Sequence, residues 1–413
     1  MTTTTNNEHK KLNFSSEREQ SQACLNSAEH EKNQGRKVLN VPNLRFKEFE
    51  GEWVGKTIGD IAPLQRGFDL PTGQINNGKF PVVYSNGIMN YHSSYKCVAP
   101  GLITGRSGTI GKFTYIEDGY YWPHNTSLWV TNFYDNNPKF IYYLFQTIHI
   151  GQYSTGSGVP TLNRNNVHRH QTFIPKLEEQ KEIATFLSLL DERIATQNKI
   201  IDKLQSLIKG LNDSLYAQYG GKVLTSFAEL GTSYSGLSGK SAQDFGSGKP
   251  FITYLNVYSN NVINESDFQY VAIKDGEKQN VAEYGDVLFT LSSETPEEVG
   301  IGSVYLGKEK VYLNSFCFGI HITNMEVAFP PYLSYYVSLT AFRKFIYPYA
   351  QGSTRFNLCK ADFEKASIKL PTLENQKRIY SILSHIDSKI ETEIQMLNLY
   401  NSQKQYLLRQ MFV

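Results

Sequence analysis

The chain has 413 residues, which is long for one hydrophobic core and predicts two or three domains. Hydrophobic residues make up 40% of it, yet no apolar run approaches the ~20 residues that span a bilayer, so we expect a soluble protein without a membrane segment. The net charge of +2 is nearly neutral, so overall charge does not by itself indicate a nucleic-acid partner.

The N-terminus predicts a polar, disordered leader over residues 1–36. This stretch is rich in Thr, Asn, Glu, Gln and Lys, and it has neither apolar periodicity nor the hydrophobic core of a secretion signal. The cysteines Cys24, Cys97, Cys317 and Cys359 are scattered without CxxC spacing. We therefore expect reduced thiols in a cytoplasmic protein, with neither a disulfide framework nor a zinc site.

Residues 37–176 predict a first strand-rich globule. Short apolar runs such as FPVVY (80–84) alternate with turn-forming residues, while PKFIYYLFQTI (138–148) has the spacing of a helix. The stretch has 13 Lys and Arg against 8 Asp and Glu, so it leans basic and could offer a local patch to a polyanion.

Residues 177–219 predict one long helix with the seam of a coiled coil. Apolar residues recur at alternating steps of three and four, namely at Ile183, Leu187, Leu190, Ile194, Ile201, Leu204, Ile208, Leu211 and Leu215. Pro175 ends the preceding segment and Gly220 stops the run. A helix about 60 Å long is more than a small domain needs, so its seam requires another long helix.

Residues 220–372 repeat the plan of the first globule in outline. GKPFITYLN (248–256) corresponds to GKFPVVYSN (78–86), LFTLSSETPEEVGIG (288–302) loosely to LITGRSGTIG (102–111), and NSFCFGI (314–320) to NTSLWV (125–130). The charge balance differs, with 13 Lys and Arg against 15 Asp and Glu over 221–371. Similar strands with different loops suggest two related modules that recognise different things.

Residues 373–413 predict the second long helix. A shift of about 196 positions superposes Pro175 on Pro371, Gln180 on Gln376 and other members of the first helix on the second. Two copies at one fixed offset favour a pair of long helices over a single helix buried in a larger core.

The chain shows no self-contained active site. Phe329-Pro330-Pro331-Tyr332 is similar to an amino-methyltransferase motif, but Phe cannot hold the target amino group, so we expect a proline-started helix. Glu179-x-Lys181 is similar to part of a nuclease metal site, but its repeat counterpart Asn375 has no carboxylate. No phosphate-binding G-x-x-x-x-G-K-[ST] is present.

Polar loops are the candidates for ligand contact. The segment Gly105 to Thr109 combines a guanidinium with backbone N–H groups, which predicts a phosphate-binding nest. Asn and Arg side chains can also read adenine and guanine edges. The candidate DNA-binding residues are Tyr84, Ser85, Asn86, Arg106, Ser107, Thr109, Asn125, Ser157, Arg164 and Arg169 in the first globule. In the second globule they are Asn256, Ser292, Ser293, Asn314, Ser353 and Arg355.

The chain resembles the specificity subunit of type I restriction–modification enzymes from about Val41 onward. The resemblance is carried by LRFKEFEGEW (44–53) and by P-x-L-E-x-Q-K-x-I at the start of each long helix. It implies an α+β fold with two strand-rich target recognition domains separated by a pair of long antiparallel coiled-coil helices, with a pseudo-two-fold internal repeat.

The resemblance also implies a function. Each domain would read one half of a split target in double-stranded DNA, and the helices would set the gap. Partners would be two modification (methyltransferase) subunits and two restriction (translocase and nuclease) subunits. The methyl donor, ATP and magnesium would bind those partners, leaving this chain without a cofactor of its own.

Two other hypotheses fit parts of the sequence. One is a single-chain methyltransferase or nuclease, which methyl-donor binding by the purified chain would support. The other is a scaffold with two ligand-binding lobes that does not bind DNA, which salt-dependent DNA binding in complex with the partners would exclude.

Overall fold

The computed structural model describes residues 40–155 and 160–413. It divides into two compact units, one formed by the described residues up to Gln197 with Met396–Val413, the other by Asn198–Gln395. The predicted leader, residues 1–36, lies outside the described residues. The linear division at 37–176, 177–219, 220–372 and 373–413 stays a prediction of functional segments, because each compact unit combines one globule with part of both long helices.

The first unit is built from short strands and three short or medium helices within its described residues. Its strands are β1 (Val54–Thr57), β2 (Leu64–Arg66), β3 (Phe80–Tyr84), β4 (Gly87–His92), β5 (Cys97–Val98), β6 (Gly101–Gly105), β7 (Phe113–Ile116), β8 (Tyr120–Pro123), β9 (Ser127–Val130), β10 (Ser154–Thr155), β11 (Thr161–Leu162) and β12 (Gln171–Ile174). Its helices are α1 (Ile58–Ile61), α2 (Pro138–Thr147) and α3 (Arg164–His168), and the long helix α4 (Leu177–Tyr219) follows. The strands form two four-stranded sheets, β2–β9–β6–β7 and β4–β3–β8–β5, and two separate two-stranded sheets, β1–β12 and β10–β11.

The second unit has the same plan. Its strands are β13 (Val223–Thr225), β14 (Gly231–Ser235), β15 (Phe245–Ile252), β16 (Gln269–Val271), β17 (Val281–Ala282), β18 (Val287–Thr290), β19 (Ser292–Ser293), β20 (Gly302–Val304), β21 (Val311–Leu313), β22 (Cys317–Ile322), β23 (Ala350–Gln351), β24 (Phe356–Leu358) and β25 (Ile368–Leu370). Its helices are α5 (Phe227–Leu230), α6 (Tyr254–Ser259), α7 (Pro330–Tyr336), α8 (Thr340–Ile346) and α9 (Lys360–Lys365), followed by the long helix α10 (Leu373–Gln410). Its four-stranded sheets are β14–β22–β18–β20 and β16–β15–β21–β17.

The strand order confirms the internal repeat that the sequence predicts. In each unit the chain forms the two four-stranded sheets in the same sequence of strands, and one pair in each is parallel, β3 with β8 and β15 with β21. The pair β13–β25 repeats β1–β12, and the pair β23–β24 repeats β10–β11. Strand β19 adds a third strand to the last of these sheets.

The two long helices lie where the heptad pattern predicts them. Helix α4 has 43 residues and α10 has 38. At 1.5 Å per residue, they are about 64 and 57 Å long. Much of the predicted seam is buried, with Leu187 0%, Ile183 2% and Leu383 0% exposed. The prediction of two long helices is confirmed.

Opposite ends of the two long helices meet inside each unit. In the first unit, Lys404 Nζ near the end of α10 lies 2.7 Å from Asp191 Oδ1 near the start of α4. In the second unit, Leu215 near the end of α4 and Leu383 near the start of α10 belong to one core cluster. Such pairing of start with end is the arrangement of antiparallel helices, as predicted.

A buried glutamine near the start of each long helix fastens it to its globule. Gln180 Oε1 accepts a hydrogen bond from Asn137 N at 2.9 Å, and its Nε2 donates to Pro175 O at 3.0 Å. Gln376 repeats both contacts, accepting from Phe329 N at 2.8 Å and donating to Pro371 O at 2.9 Å. Because Asn137 and Phe329 are the residues that cap α2 and α7, the glutamine of the P-x-L-E-x-Q motif joins two helix starts in each copy.

The proline motif is part of this joint. Helix α7 begins at Pro330, as predicted, and every residue from Pro330 to Tyr336 is buried. Tyr332 is 0% exposed and packs among the hydrophobic core of the second unit. A side chain in that position cannot meet a substrate, so the methyltransferase reading of the motif has no structural support.

We predict that Gln376→Ala destabilises the protein. The substitution leaves Phe329 N–H and the carbonyls of Val327 and Pro371 without their buried partner, at a cost of about 2–4 kcal/mol in the free energy of unfolding. Urea unfolding of the variant measures the loss. Gln395→Ala, at an exposed position of the same helix, is the matched control and should change stability by less than about 0.5 kcal/mol. Equal effects of the two substitutions would contradict the assigned role.

Candidate nucleic-acid interface

Several predicted site residues of the first unit come together at one end of its strands. We name this group the first loop cluster, formed by the β3–β4 turn (84–86), the loop after β6 (106–112) and the β8–β9 turn (124–126). The N–H groups of Arg106 and Ser107 both donate to Thr126 O, at 2.8 and 3.2 Å. Lys112 Nζ donates to Asn86 O at 2.6 Å. These bonds connect all three segments with one another.

Gly105 is the position that allows this close approach. A Cβ atom there would lie 1.6 Å from Thr109 O and 3.1 Å from the Cβ of Ser85. The loop after β6 can therefore fold back onto strand β6 and contact the β3–β4 turn only without a side chain at this position.

Three backbone N–H groups of the predicted phosphate nest already have partners within the protein. The N–H groups of Arg106 and Ser107 are bound to Thr126 O, and that of Gly108 donates to Pro160 O at 3.2 Å. Backbone donors committed to carbonyls cannot also bind an anion. What the loop does offer is side chains, because Arg106 and Ser107 are half-buried and Thr109 is exposed.

The remaining side chains of the first loop cluster are held by specific contacts. The ring of Tyr84 lies against His124 with centroids 4.1 Å apart, and its hydroxyl accepts from Asn90 Nδ2 at 3.1 Å. Asn125 donates to the carboxylate of Asp69. Hydrogen bonds from Arg66 and then Asn125 hold the pKa of Asp69 below its usual range, so it stays ionised. Asn125 therefore has one donor occupied within the protein.

The two arginines at helix α3 lie at its opposite ends. Arg164 begins α3 two residues after Leu162, whose N–H donates to Arg106 O at 2.7 Å, so the chain leads directly from the first loop cluster to it. Arg169 follows the helix, next to His170, whose carbonyl accepts from Ile58 N at 3.0 Å beside α1. Of the two, only Arg164 adjoins the cluster. Ser157 lies outside the described residues.

An equivalent group of loops, the second loop cluster, forms in the second unit from residues 253–255, 291–298, 314–316 and 352–355. Leu291 N–H donates to Phe316 O at 2.8 Å, and Asn314 N–H donates to Ile252 O at 2.9 Å. Tyr254 Oη donates to Ser292 O at 2.8 Å. Strand β19 pairs with β24 next to the exposed residues Ser353 and Arg355. The same strand ends therefore carry the candidate surface in both units.

Three predicted contact residues of the second unit are not available to a ligand. Asn256 is 2% exposed, and its Oδ1 accepts from Asn260 Nδ2 and Asn264 N, both at 3.0 Å. Ser292 and Ser293 are buried in β19 at 6% and 8%, and Ser293 Oγ donates to Glu298 at 3.0 Å. The predictions for these residues are wrong, because each lies in a helix or strand whose neighbours use its polar atoms.

Equivalent hydrogen bonds identify which residues of the two globules correspond. In three segments this structural correspondence differs by one residue from the correspondence that the sequence suggests. His124 N donates to Val83 O, and Asn314 N donates to Ile252 O in the same way, so Asn314 corresponds to His124. The comparison of the two sequences, which matches similar residues, pairs Asn314 with Asn125 instead. Likewise, the bonds of Arg106 N to Thr126 O and of Leu291 N to Phe316 O pair Arg106 with Leu291.

The corrected correspondence changes the character of the second surface. Phe316 occupies the position of Thr126, and Leu291 that of Arg106. Leu255 lies three residues after Ile252, at the start of α6, the helix that follows β15 where the β3–β4 turn follows β3 in the first unit. Leu255 is 68% exposed and Phe316 57% exposed. A search for polar loop residues misses both, since their exposure has no signal in the sequence.

The metal-site reading of Glu179 also fails on geometry. Glu179 is 2% exposed, and Arg45 binds it through Nε at 2.8 Å and Nη2 at 2.7 Å. Trp53 Nε1 donates to the same carboxylate at 3.2 Å. The carboxylate thus fixes the LRFKEFEGEW segment to the start of α4, which explains why both belong to one recognisable pattern.

Over the described ranges, 40–155 and 160–413, no helix is long and apolar enough to cross a membrane.

Comparisons with known proteins agree on one kind of protein. A family model described as type I restriction modification DNA specificity domain matches residues 50–206 and 229–399. The putative type I restriction enzyme MjaX specificity subunit of Methanocaldococcus jannaschii is 28% identical over 260 residues. That match covers 56% of each chain, so the chain spans about half the length of this curated relative.

Solved structures share the fold. The S subunit of a type I restriction-modification system from M. genitalium superposes with a TM-score of 0.55 at 14% identity, covering 90% of this chain and 99% of that one. A chain from a study of complex assembly and conformational transition of a type I R-M system gives 0.51 at 16% identity, with 86% and 96% covered. At this identity the likeness shows the fold alone.

We predict that Gly105→Ala distorts the first loop cluster. Because the new methyl group would overlap Thr109 O, the loop must move, at a cost of about 1–3 kcal/mol in the free energy of unfolding. Denaturant unfolding measures this. Gly73→Ala is the matched control, since nothing lies within 4 Å of a Cβ there. A Gly105→Ala variant as stable as the control would show that the loop does not need this approach.

Proposed function

Because the chain belongs to the family of type I restriction modification DNA specificity domains, we propose that it is the DNA-recognising subunit of a type I restriction–modification complex. The observation that supports the proposal is that the two units share one framework but carry different loop clusters. Strand order and the glutamine joints are the same in both units, whereas the loops differ in length, charge and polarity. Such a chain suits a target with two unlike halves.

Each loop cluster would read one half of a split sequence in double-stranded DNA. In the first cluster, Arg106 and Lys112 suit phosphates or guanine, while Ser85, Asn86 and Thr109 provide hydrogen-bonding groups. In the second, Ser353 and Arg355 are exposed, and Asn314 lies at the same turn as Phe316. The near-neutral charge of +2 favours tight binding only together with partner subunits.

The two long helices would set the gap between the half-sites. Their lengths of about 64 and 57 Å exceed one turn of DNA, about 34–36 Å. Their seam consists of packed heptads, so the length cannot change without insertion or deletion of residues.

The helices would also bind the partners. Leu189, Leu207 and Leu399 are more than half exposed on them, which is surface that a partner could cover. An internal repeat provides two equivalent surfaces, which suits two copies of a modification subunit. Two restriction subunits would complete the assembly, acting in the cytoplasm on DNA.

Catalysis would belong to the partners. In this chain Glu179 binds Arg45 and Trp53, and Tyr332 of the proline motif is buried in the core. The methyl donor, ATP and magnesium would therefore act on the modification and restriction subunits. The chain contributes recognition and spacing.

Exchanging one globule tests the proposal. The first globule would be replaced by that of another family member, and methylated adenines mapped across the genome of cells producing the hybrid with its partners. We expect one half-site to change while the other half-site and the gap stay the same. A map in which both halves change, or neither, would contradict the two-module assignment.

Shortening the helices tests the spacing role. Removing one heptad from each long helix preserves the seam and shortens the pair by about 10 Å, or about three base pairs at 3.4 Å each. We expect the same two half-sites with a shorter gap in the methylation map. An unchanged gap in an active variant would exclude the helices as the spacer.

A further inference from the structure

The two loop clusters differ in charge at corresponding loops. The loop between β6 and β7 carries Arg106 and Lys112, whereas the loop between β18 and β20 is longer and carries Glu294, Glu297 and Glu298. Hydrogen bonds from Tyr258 and then Ser293 hold the pKa of Glu298 below its usual range, so this carboxylate stays charged. The loop of the second cluster therefore repels phosphates where that of the first attracts them.

The second cluster instead exposes apolar side chains at the corrected positions. Phe316 stands where the first cluster has Thr126, and Leu255 lies at the start of α6, which follows β15 where the β3–β4 turn follows β3. The N–H of Asn314 donates to the carbonyl of Ile252. Phe316 follows Asn314 by two residues, and Leu255 follows Ile252 by three. Their exposed fractions, 57% and 68%, leave most of each side chain open to solvent.

Single exposed apolar residues are common on protein surfaces, so exposure alone decides nothing. Here, however, two of them lie in the second loop cluster beside an acidic loop, and one of them, Phe316, replaces a polar residue of the first cluster. DNA offers one apolar group in its major groove, the C5-methyl of thymine, and Phe is among the side chains that contact it. The ligand that fits this surface is therefore a base step that contains thymine.

We infer that the second globule recognises its half-site through contact of Leu255 and Phe316 with thymine methyl groups in the major groove. The inference rests on the proposed function and adds the chemistry of one half-site. It assigns the hydrogen-bonding and phosphate contacts mainly to the first globule. It also requires at least one A·T pair in the half-site of the second globule.

Replacing thymine with deoxyuridine removes the methyl group and leaves base pairing intact. Binding of the full complex with modification subunits would be measured on the target duplex, after globule exchange has shown which half-site belongs to which globule. We expect deoxyuridine in the second half-site to weaken binding about fourfold for each contacted methyl group. The same replacement in the first half-site is the control and should have no such effect.

Substitutions connect the effect to the protein. Phe316→Ala and Leu255→Ala should weaken binding to thymine-containing DNA and abolish the difference between thymine and deoxyuridine. Tyr284→Ala is the matched control, because Tyr284 is also 57% exposed but precedes β18, at the end away from the cluster. Thermal unfolding with unchanged midpoints would show that all three variants are folded.

Other outcomes would overturn the inference. A second half-site without an A·T pair excludes it at once. If Phe316→Ala weakens binding while deoxyuridine binds as thymine does, Phe316 acts as a wedge between bases and not as a methyl reader. Failure of the proposed function looks different, because the methylation map would then not follow the exchanged globule.

Discussion

The joint between each long helix and its globule is the interaction on which the rest of the structure depends. Gln180 satisfies one backbone donor and one carbonyl, and Gln376 satisfies one backbone donor and two carbonyls. An unpaired buried amide costs about 1–3 kcal/mol, so the orientation of the glutamine is strongly fixed. Since its partners cap α2 and α7, the glutamine sets where each globule begins along its helix.

A second contact strengthens each joint in the same way. Tyr143 Oη donates to Asp191 Oδ2 at 2.8 Å in the first unit, and Tyr335 donates to the carboxylate of Asp387 in the second. Burial raises the pKa of Asp387 above its usual range, and the hydrogen bond from Tyr335 opposes part of that rise. The same tyrosine–aspartate contact therefore recurs between globule and long helix in both units.

The sequence predicts this framework well and the surfaces poorly, for physical reasons. Heptad spacing reports burial, and a fixed repeat offset reports duplication, so both long helices and the internal repeat follow from them. Strand register does not follow, because similar letters such as Asn125 and Asn314 align readily while hydrogen bonds pair Asn314 with His124. One residue of slip reverses the facing of every side chain in a strand. A sequence also does not show that the polar atoms of a residue such as Asn256 are already hydrogen-bonded to its neighbours.

The corrected register shows how one framework can support two kinds of recognition. The hydrogen bonds that fix each loop cluster run between backbone atoms, such as Arg106 N to Thr126 O and Leu291 N to Phe316 O. Backbone bonds place the same positions at the same strand ends whatever side chains they carry. The second unit accordingly has Leu291 and Phe316 at the positions that Arg106 and Thr126 occupy in the first, with the same backbone hydrogen bond. Charged contacts weaken as salt rises and apolar contacts do not, so the contacts proposed for the basic loop of the first cluster and for the exposed apolar side chains of the second would respond differently to salt.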